Sequence, residues 1–91
     1  MAETHLEVVG QVQGVGFRWF IVEYARRREL SGWVRNLPNG RVEIAAAGSD
    51  EAIAGLVQAA GRGPSGSHVE KVLQLATQGA TQLPFPFTVR R

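Results

Sequence analysis

Hydrophobic positions switch along the chain between alternation and a helical spacing, which predicts strands separated by two helices. Residues 5–12 alternate apolar with polar side chains, as in a half-buried first strand. Residues 17–25 then repeat apolar side chains at i, i+3, i+4, i+7 and i+8, the stripe of an amphipathic helix. We expect this helix to begin at Phe17, to bury its aromatic side chains and to end near residues 30–32.

A hairpin and a second helix follow. Residues 33–37 and 41–47 flank Pro38-Asn39-Gly40, a turn sequence that predicts two antiparallel strands. Ser49 is a suitable N-cap for a helix with apolar residues at helical spacing from Ile53 onward. Gly55 within that helix is expected to weaken it by about 1 kcal/mol relative to alanine.

The remaining chain predicts a loop and two more strands. Residues 61–67 are rich in glycine and serine, which marks a loop, and residues 68–77 read as a fourth strand. Residues 85–89 alternate in a short last strand, which Pro86 confines to a sheet edge. The order is β-α-β-β-α-β plus a C-terminal strand, so we predict an α+β fold, a ferredoxin-like split βαβ sandwich. Two helices should cover one face of a mainly antiparallel sheet, and the other face should be partly wet.

Composition limits the kind of protein. With 91 residues, 44% of them hydrophobic, we expect a single domain over residues 1–91. The net charge of +2 gives weak support for a nucleic-acid surface, and without cysteine the chain has no disulfide, thiolate nucleophile or cysteine metal site. The first residues show no targeting signal and no long apolar run follows, so we expect a cytoplasmic protein.

The stretch from Gly10 to Arg18 has the features of an anion site. Three glycines in seven residues allow positive φ values, so that successive backbone amides converge on one point, and the following helix adds its N-terminal amides. Arg18 lies in the first helical turn, where the helix dipole opposes a cation unless an anion is bound. The alternative interpretation is a glycine-rich turn with a surface arginine.

Other chemistries find little support in the sequence. Trp19 stands where a dinucleotide fingerprint needs its third glycine, and no Gly-Lys-Ser/Thr follows for a nucleotide loop. Neither histidine has the companions of a metal site, and no serine has an orienting base, so we expect no metal and no cofactor. An anion site without metal, nucleophile or general acid suits a leaving group that departs without protonation. A carboxylate is such a leaving group, because carboxylic acids have pKa values of about 4. Phosphoryl transfer from a carboxyl phosphate then needs positioning and charge stabilisation.

Two motifs resemble the signatures of the acylphosphatase family. Residues 10–18 read Gly-Gln-Val-Gln-Gly-Val-Gly-Phe-Arg, and residues 32–43 read Gly-Trp-Val-Arg-Asn-Leu-Pro-Asn-Gly-Arg-Val-Glu, at the family's spacing. The resemblance covers essentially the whole chain. It implies that Arg18 and Asn36 are catalytic: Arg18 binds the substrate phosphate and Asn36 orients the attacking water. The backbone amides of the loop would form the phosphate cradle, namely those of Gln13, Gly14, Val15, Gly16 and Phe17.

The expected activity is therefore metal-independent hydrolysis of acyl phosphates by a monomer, with inorganic phosphate as product and competitor. Because the motifs recognise the phosphoryl group, we expect the enzyme to accept acyl phosphates with many different acyl groups. The alternative is a non-catalytic ferredoxin-like module that binds phosphate, another anion or nucleic acid, including a relative of the acylphosphatase-like domain of hydrogenase-maturation proteins. Nucleic acid is disfavoured, because RNA-recognition modules carry aromatics on the third strand and residues 41–45 have none.

Overall fold

The predicted elements form in the expected order. The computed structural model describes residues 1–77 and 82–91, and within them two helices pack on a five-stranded mixed sheet. The elements are β1 (Ala2–Gln11), α1 (Phe17–Arg27), β2 (Ser31–Asn36), β3 (Val42–Gly48), α2 (Asp50–Arg62), β4 (His68–Leu75) and β5 (Thr88–Val89). The predicted fold class is confirmed.

The sheet has the strand order β4-β1-β3-β2-β5, and every neighbouring pair is antiparallel except β2 with β5. Its register places Leu6, Ile44 and Val34 side by side in one row across β1, β3 and β2. All three are fully buried beneath the helices. Since β1, β2 and β5 run in the same direction, their C-terminal ends lie together at the same end of the sheet.

Helix α1 buries one stripe, Phe17, Ile21, Val22 and Ala25, and ends earlier than predicted. The amides of Glu29 and Leu30 turn back to the carbonyls of Arg26 and Ala25, and Glu29 has a φ of 57°. This is the bonding pattern of a Schellman motif, which closes the helix and carries the next apolar residue into the core. Leu30 is fully buried, so its burial accounts for the helix ending at Arg27.

Helix α2 has the predicted cap, because the Ser49 hydroxyl accepts a hydrogen bond from the amide of Ala52 at 3.1 Å. Its core-facing residues are Ala52, Ile53, Leu56, Ala59 and Ala60. Gly55 faces α1, and a Cβ there would collide with the Tyr24 hydroxyl. The small residue that weakens the isolated helix therefore makes room for an aromatic ring from its neighbour.

The sheet face away from the helices carries charged and aromatic side chains. Glu43 accepts hydrogen bonds from His5 and from Arg35, each at 2.6 Å, which links β1, β2 and β3 through one carboxylate. On the same face the Trp33 ring lies beneath the guanidinium groups of Arg35 and Arg90, at 5.3 and 4.9 Å from its centroid.

The C-terminal strands are shorter than predicted. Strand β4 ends at Leu75, and only Thr88 and Val89 pair with β2 at the sheet edge. Phe87 is fully buried, whereas Phe85 is 63% exposed and precedes the strand. No helix in the described part of the chain is long and apolar enough to cross a membrane.

Candidate active site

The glycine-rich loop between β1 and α1 has the backbone geometry that its sequence predicts. Gly14 and Gly16 have φ values of 76° and 77°, and Gly16 is the N-cap of α1 without a side-chain cap. The first helical hydrogen bond runs from the Phe20 amide to the Gly16 carbonyl, at 3.0 Å. The preceding amides in the first turn thus have no helical partner, as at every helix N-terminus.

Arg18 is the second residue of α1 and is solvent-exposed. The first turn of α1 contains no acidic residue, and within residues 1–77 and 82–91 Arg18 forms no ion pair. Its charge therefore lies at the positive end of the helix dipole without a compensating carboxylate, which is unfavourable in the absence of an anion.

Asn36 is the last residue of β2, and its side-chain carbonyl is buried without a hydrogen-bond donor among the described residues. A buried acceptor without a partner costs roughly 1–3 kcal/mol, so nearly all such groups are paired in folded proteins. Asn36 and Arg18 line the same pocket. Asn36 thus borders the pocket, although its side-chain oxygen is itself buried from solvent.

The Gln13 side chain connects the loop to the β2–β3 hairpin. Its Nε2 donates hydrogen bonds to the carbonyls of Leu37 and Arg41, at 2.8 and 2.9 Å. The sequence assigns only the backbone of Gln13 to a phosphate cradle, and no local signal marks its side chain, because the acceptors are 24 and 28 residues away.

The pocket has a volume of about 320 Å³ and lies where the C-terminal ends of β1, β2 and β5 meet the start of α1. Its lining residues are Val12, Gly14, Gly16, Phe17, Arg18, Trp19, Asn36, Val89 and Arg91. Of the loop residues predicted to form the cradle, Gly14, Gly16 and Phe17 line it. Gln13 instead turns its side chain to the hairpin, and Val15 packs against the core.

Two lining residues were not predicted from the sequence, Trp19 and Val89. Trp19 lies off the apolar stripe of α1, a signal that an aromatic side chain there would be exposed. Val89 and Arg91 reach the pocket because β5 pairs in parallel with β2, where Val34 faces Val89 and the Arg90 amide donates to the Val34 carbonyl at 2.9 Å.

Two arginine residues, Arg18 and Arg91, belong to the described lining of the pocket. In the described ranges no group of three or more His, Cys, Asp or Glu side chains is arranged to hold a metal ion. Chemically, the Arg18 guanidinium and the unpartnered backbone amides can hold a tetrahedral oxyanion, and the Asn36 side-chain amide lies at the same pocket.

Comparison with known proteins agrees with the two sequence signatures. The family model described as Acylphosphatase matches residues 4–83. An acylphosphatase of Thiobacillus denitrificans is 47% identical over 79 residues, which cover 87% of this chain and 89% of that protein. The crystal structure of acylphosphatase from Bacillus subtilis superposes with a TM-score of 0.91 at 35% identity and covers 100% of both chains. T. kodakarensis HypF matches at a TM-score of 0.76 and 27% identity, over 98% of this chain but 12% of HypF.

Proposed function

Because the chain belongs to the acylphosphatase family and is a hydrolase that acts on acyl phosphates, we propose that Arg18 and Asn36 are its catalytic residues. In this proposal a water molecule attacks the phosphorus of the substrate directly. No covalent enzyme intermediate forms.

The phosphoryl group is held by the Arg18 guanidinium and by the backbone amides of Gln13, Gly14, Val15, Gly16 and Phe17. Positive φ values at Gly14 and Gly16 support this cradle, since they allow successive amides to point the same way. Arg18 supplies a planar fork of donors that matches two phosphate oxygens. An anion bound at this point also offsets the repulsion between Arg18 and the dipole of α1.

The observation that carries the proposal is that Asn36 lines the same pocket as Arg18, and that its side-chain carbonyl oxygen has no hydrogen-bond partner among the described residues. In this proposal the side-chain amide of Asn36 holds the attacking water beside the phosphoryl group. Fixing the nucleophile removes much of the entropic cost of bringing the two reactants together.

The step balances without a further reactant. The water oxygen forms a bond to phosphorus, the bond between phosphorus and the acyl oxygen breaks, and its electron pair leaves with the carboxylate. The protons of the water end on the phosphate, so a dianionic acyl phosphate yields a carboxylate and dihydrogen phosphate. A carboxylate needs no proton to depart at neutral pH, since its pKa is about 4. The amides and Arg18 stabilise charge in the loose transition state.

A monomer without metal or cofactor is part of the proposal, because every group assigned a role comes from one chain and the leaving group needs no Lewis acid. The cytoplasmic location stays a prediction.

The test is hydrolysis of benzoyl phosphate with and without a chelator, with inorganic phosphate as inhibitor. We expect full activity in the chelator and competitive inhibition by phosphate. Loss of activity that added metal restores would contradict the metal-free step. Phosphate binding without turnover would instead favour the anion-binding module.

A further inference from the structure

The pocket that contains Arg18 and Asn36 also has an apolar wall. Trp19 and Val89 both line it, and both are exposed, at 60% and 40%. A large aromatic side chain left this open on a folded domain is a common mark of a contact surface. Here both exposed residues line the pocket itself rather than a separate part of the surface.

The position of Trp19 follows from the helix. Phe17 and Ile21 belong to the buried stripe of α1. Trp19 lies about 200° around the helix axis from Phe17, so it is on another face of the helix and is not part of that stripe. Trp19 directly follows Arg18, so the indole and the guanidinium leave neighbouring positions of the first turn. An apolar group thus flanks the cation that we assign to the phosphoryl group.

The position of Val89 follows from the sheet. Strand β5 is held against β2 by the pairing of Val34 with Val89 and by the hydrogen bond from the Arg90 amide to the Val34 carbonyl. Strand β2 ends at Asn36, two residues beyond Val34. Val89 is therefore fixed by main-chain contacts beside the strand that presents the proposed water-holding residue.

We propose that Trp19 and Val89 form a subsite for the acyl group and that the enzyme favours acyl phosphates with an aromatic acyl group. This rests on the proposed function, since the acyl group can contact Trp19 and Val89 only while its phosphoryl group occupies the cradle. An aromatic ring gains both buried area and stacking against the indole, which a methyl group cannot provide. The wall is open to solvent, so we expect a preference of about tenfold rather than the more than hundredfold of an enclosed pocket.

The first test compares kcat/KM for benzoyl phosphate and acetyl phosphate in the wild type and in Trp19→Ala. Taking the ratio of the two substrates within each protein, and comparing that ratio between proteins, cancels their intrinsic reactivities. We expect the benzoyl-to-acetyl ratio to fall about tenfold in Trp19→Ala, to fall less in Val89→Ala and to stay near the wild-type value in Trp19→Phe. The inhibition constant of inorganic phosphate should change little, because phosphate has no acyl group.

The matched control is Phe85→Ala, which removes an aromatic side chain of similar exposure, 63%, outside the pocket lining. Its substrate ratio should equal that of the wild type. An unchanged ratio in Trp19→Ala would overturn the subsite. A changed sedimentation coefficient with an unchanged ratio would show that Trp19 serves self-association, which also overturns it.

A second measurement does not depend on the folding of Trp19→Ala. The sequence has two tryptophans, so Trp33→Phe leaves Trp19 as the single indole reporter. Benzoylphosphonate, which lacks the hydrolysable oxygen bridge, should change Trp19 fluorescence at concentrations where acetylphosphonate does not. Equal responses to both would overturn the subsite.

The two proposals fail in different ways. If the wild type hydrolyses neither acyl phosphate, the proposed function fails and the subsite with it. If it hydrolyses both, and Arg18→Gln abolishes this while Trp19→Ala leaves the ratio unchanged, only the subsite fails.

Discussion

The side-chain amide of Gln13 donates a 2.8 Å hydrogen bond to the carbonyl oxygen of Leu37, which joins the loop before α1 to the residue after Asn36. The same nitrogen bonds the Arg41 carbonyl at 2.9 Å, and the Leu37 amide donates to that carbonyl at 2.8 Å. The two ends of the hairpin turn are thus tied to each other and to the loop. Gln13 is placed to fix the distance between the two proposed catalytic residues.

We expect Gln13→Ala to lower kcat for benzoyl phosphate about tenfold, because a small misplacement of the water-holding residue weakens the attack geometry. The inhibition constant of inorganic phosphate should change less, since the loop amides remain. Gln11→Ala is the control: that side chain is exposed and makes no hydrogen bond within the described residues. If Gln13 acts through Asn36, Gln13→Ala should add little to Asn36→Ala. Fully multiplicative losses would contradict this coupling.

Asn36→Ala should lower kcat by roughly a hundredfold and leave phosphate inhibition nearly unchanged, because the lost amide holds the water and not the phosphoryl group. The free energy of unfolding should not fall, since the substitution removes a buried acceptor that has no protein donor. Steady-state kinetics and urea denaturation measure the two effects.

Asn39→Ala controls for the hairpin turn. Its side chain accepts a 3.0 Å hydrogen bond from the Arg41 amide, so this variant should lose some stability and keep its specific activity. If Asn36→Ala behaved in the same way, Asn36 would be a turn-stabilising residue.

Arg18→Gln should abolish phosphate binding and turnover while leaving stability unchanged or raised by at most about 1 kcal/mol, because its charge opposes the helix dipole. Arg18→Lys should restore little, since an ammonium lacks the planar fork. Calorimetry with phosphate and thermal unfolding in phosphate-free buffer test both statements.

The control for Arg18 is Arg27→Gln in the last turn of α1, where a cation is favourable. It should slightly lower stability and leave phosphate affinity unaltered. A variant at Arg18 that unfolds easily yet binds phosphate like the wild type would exclude the proposed role.

Glu43 should make stability depend on acid pH. Burial opposes its charged form, but the hydrogen bonds from His5 and Arg35 and the charge of Arg35 outweigh burial, so the pKa of Glu43 lies below its ordinary value of 4.5. Glu7, directly opposite on β1, is neutralised by Arg41 at 3.0 Å. A lowered folded-state pKa contributes stability above the unfolded pKa, and this is lost as pH falls below 4.5 through the folded pKa.

Glu43→Gln should therefore destabilise the protein by about 2 kcal/mol near neutral pH, and the difference from the wild type should shrink below the unfolded pKa. Unfolding free energies across a pH series measure this. Glu23→Gln, an exposed position on α1, should show no such dependence. A constant difference at all pH values would show that the Glu43 charge does not contribute.

Gly55→Ala should lower the free energy of unfolding by about 1 kcal/mol, although alanine is the better helix former. The added methyl group collides with the Tyr24 hydroxyl, and the ring is held beneath Arg28, whose guanidinium lies 3.7 Å from its centroid. Gly61→Ala in the same helix is the control, because a Cβ there meets only Val72 at 4.0 Å. It should raise stability slightly. Equal gains at both positions would contradict the packing role of Gly55.

Local features of the chain could be predicted from the sequence, because their causes lie within a few residues. The alternation of residues 5–12, the stripe that begins at Phe17 and the Ser49 cap each depend on neighbours in the chain, and all three are present in the structure. The same holds for the place of Arg18 in the first helical turn after two glycines. Its catalytic role, like that of Asn36, stays a prediction.

Tertiary packing alone decided which distant residues meet. The parallel pairing of β5 with β2 brings Val89 to the pocket that Trp19 lines, and Gln13 reaches carbonyls on a separate hairpin. The early end of α1 depends on the burial of Leu30, and the need for a glycine at position 55 depends on the Tyr24 side chain of the other helix. Such contacts leave no periodic trace in a sequence, because the energies that select them are gained only when separate elements pack together.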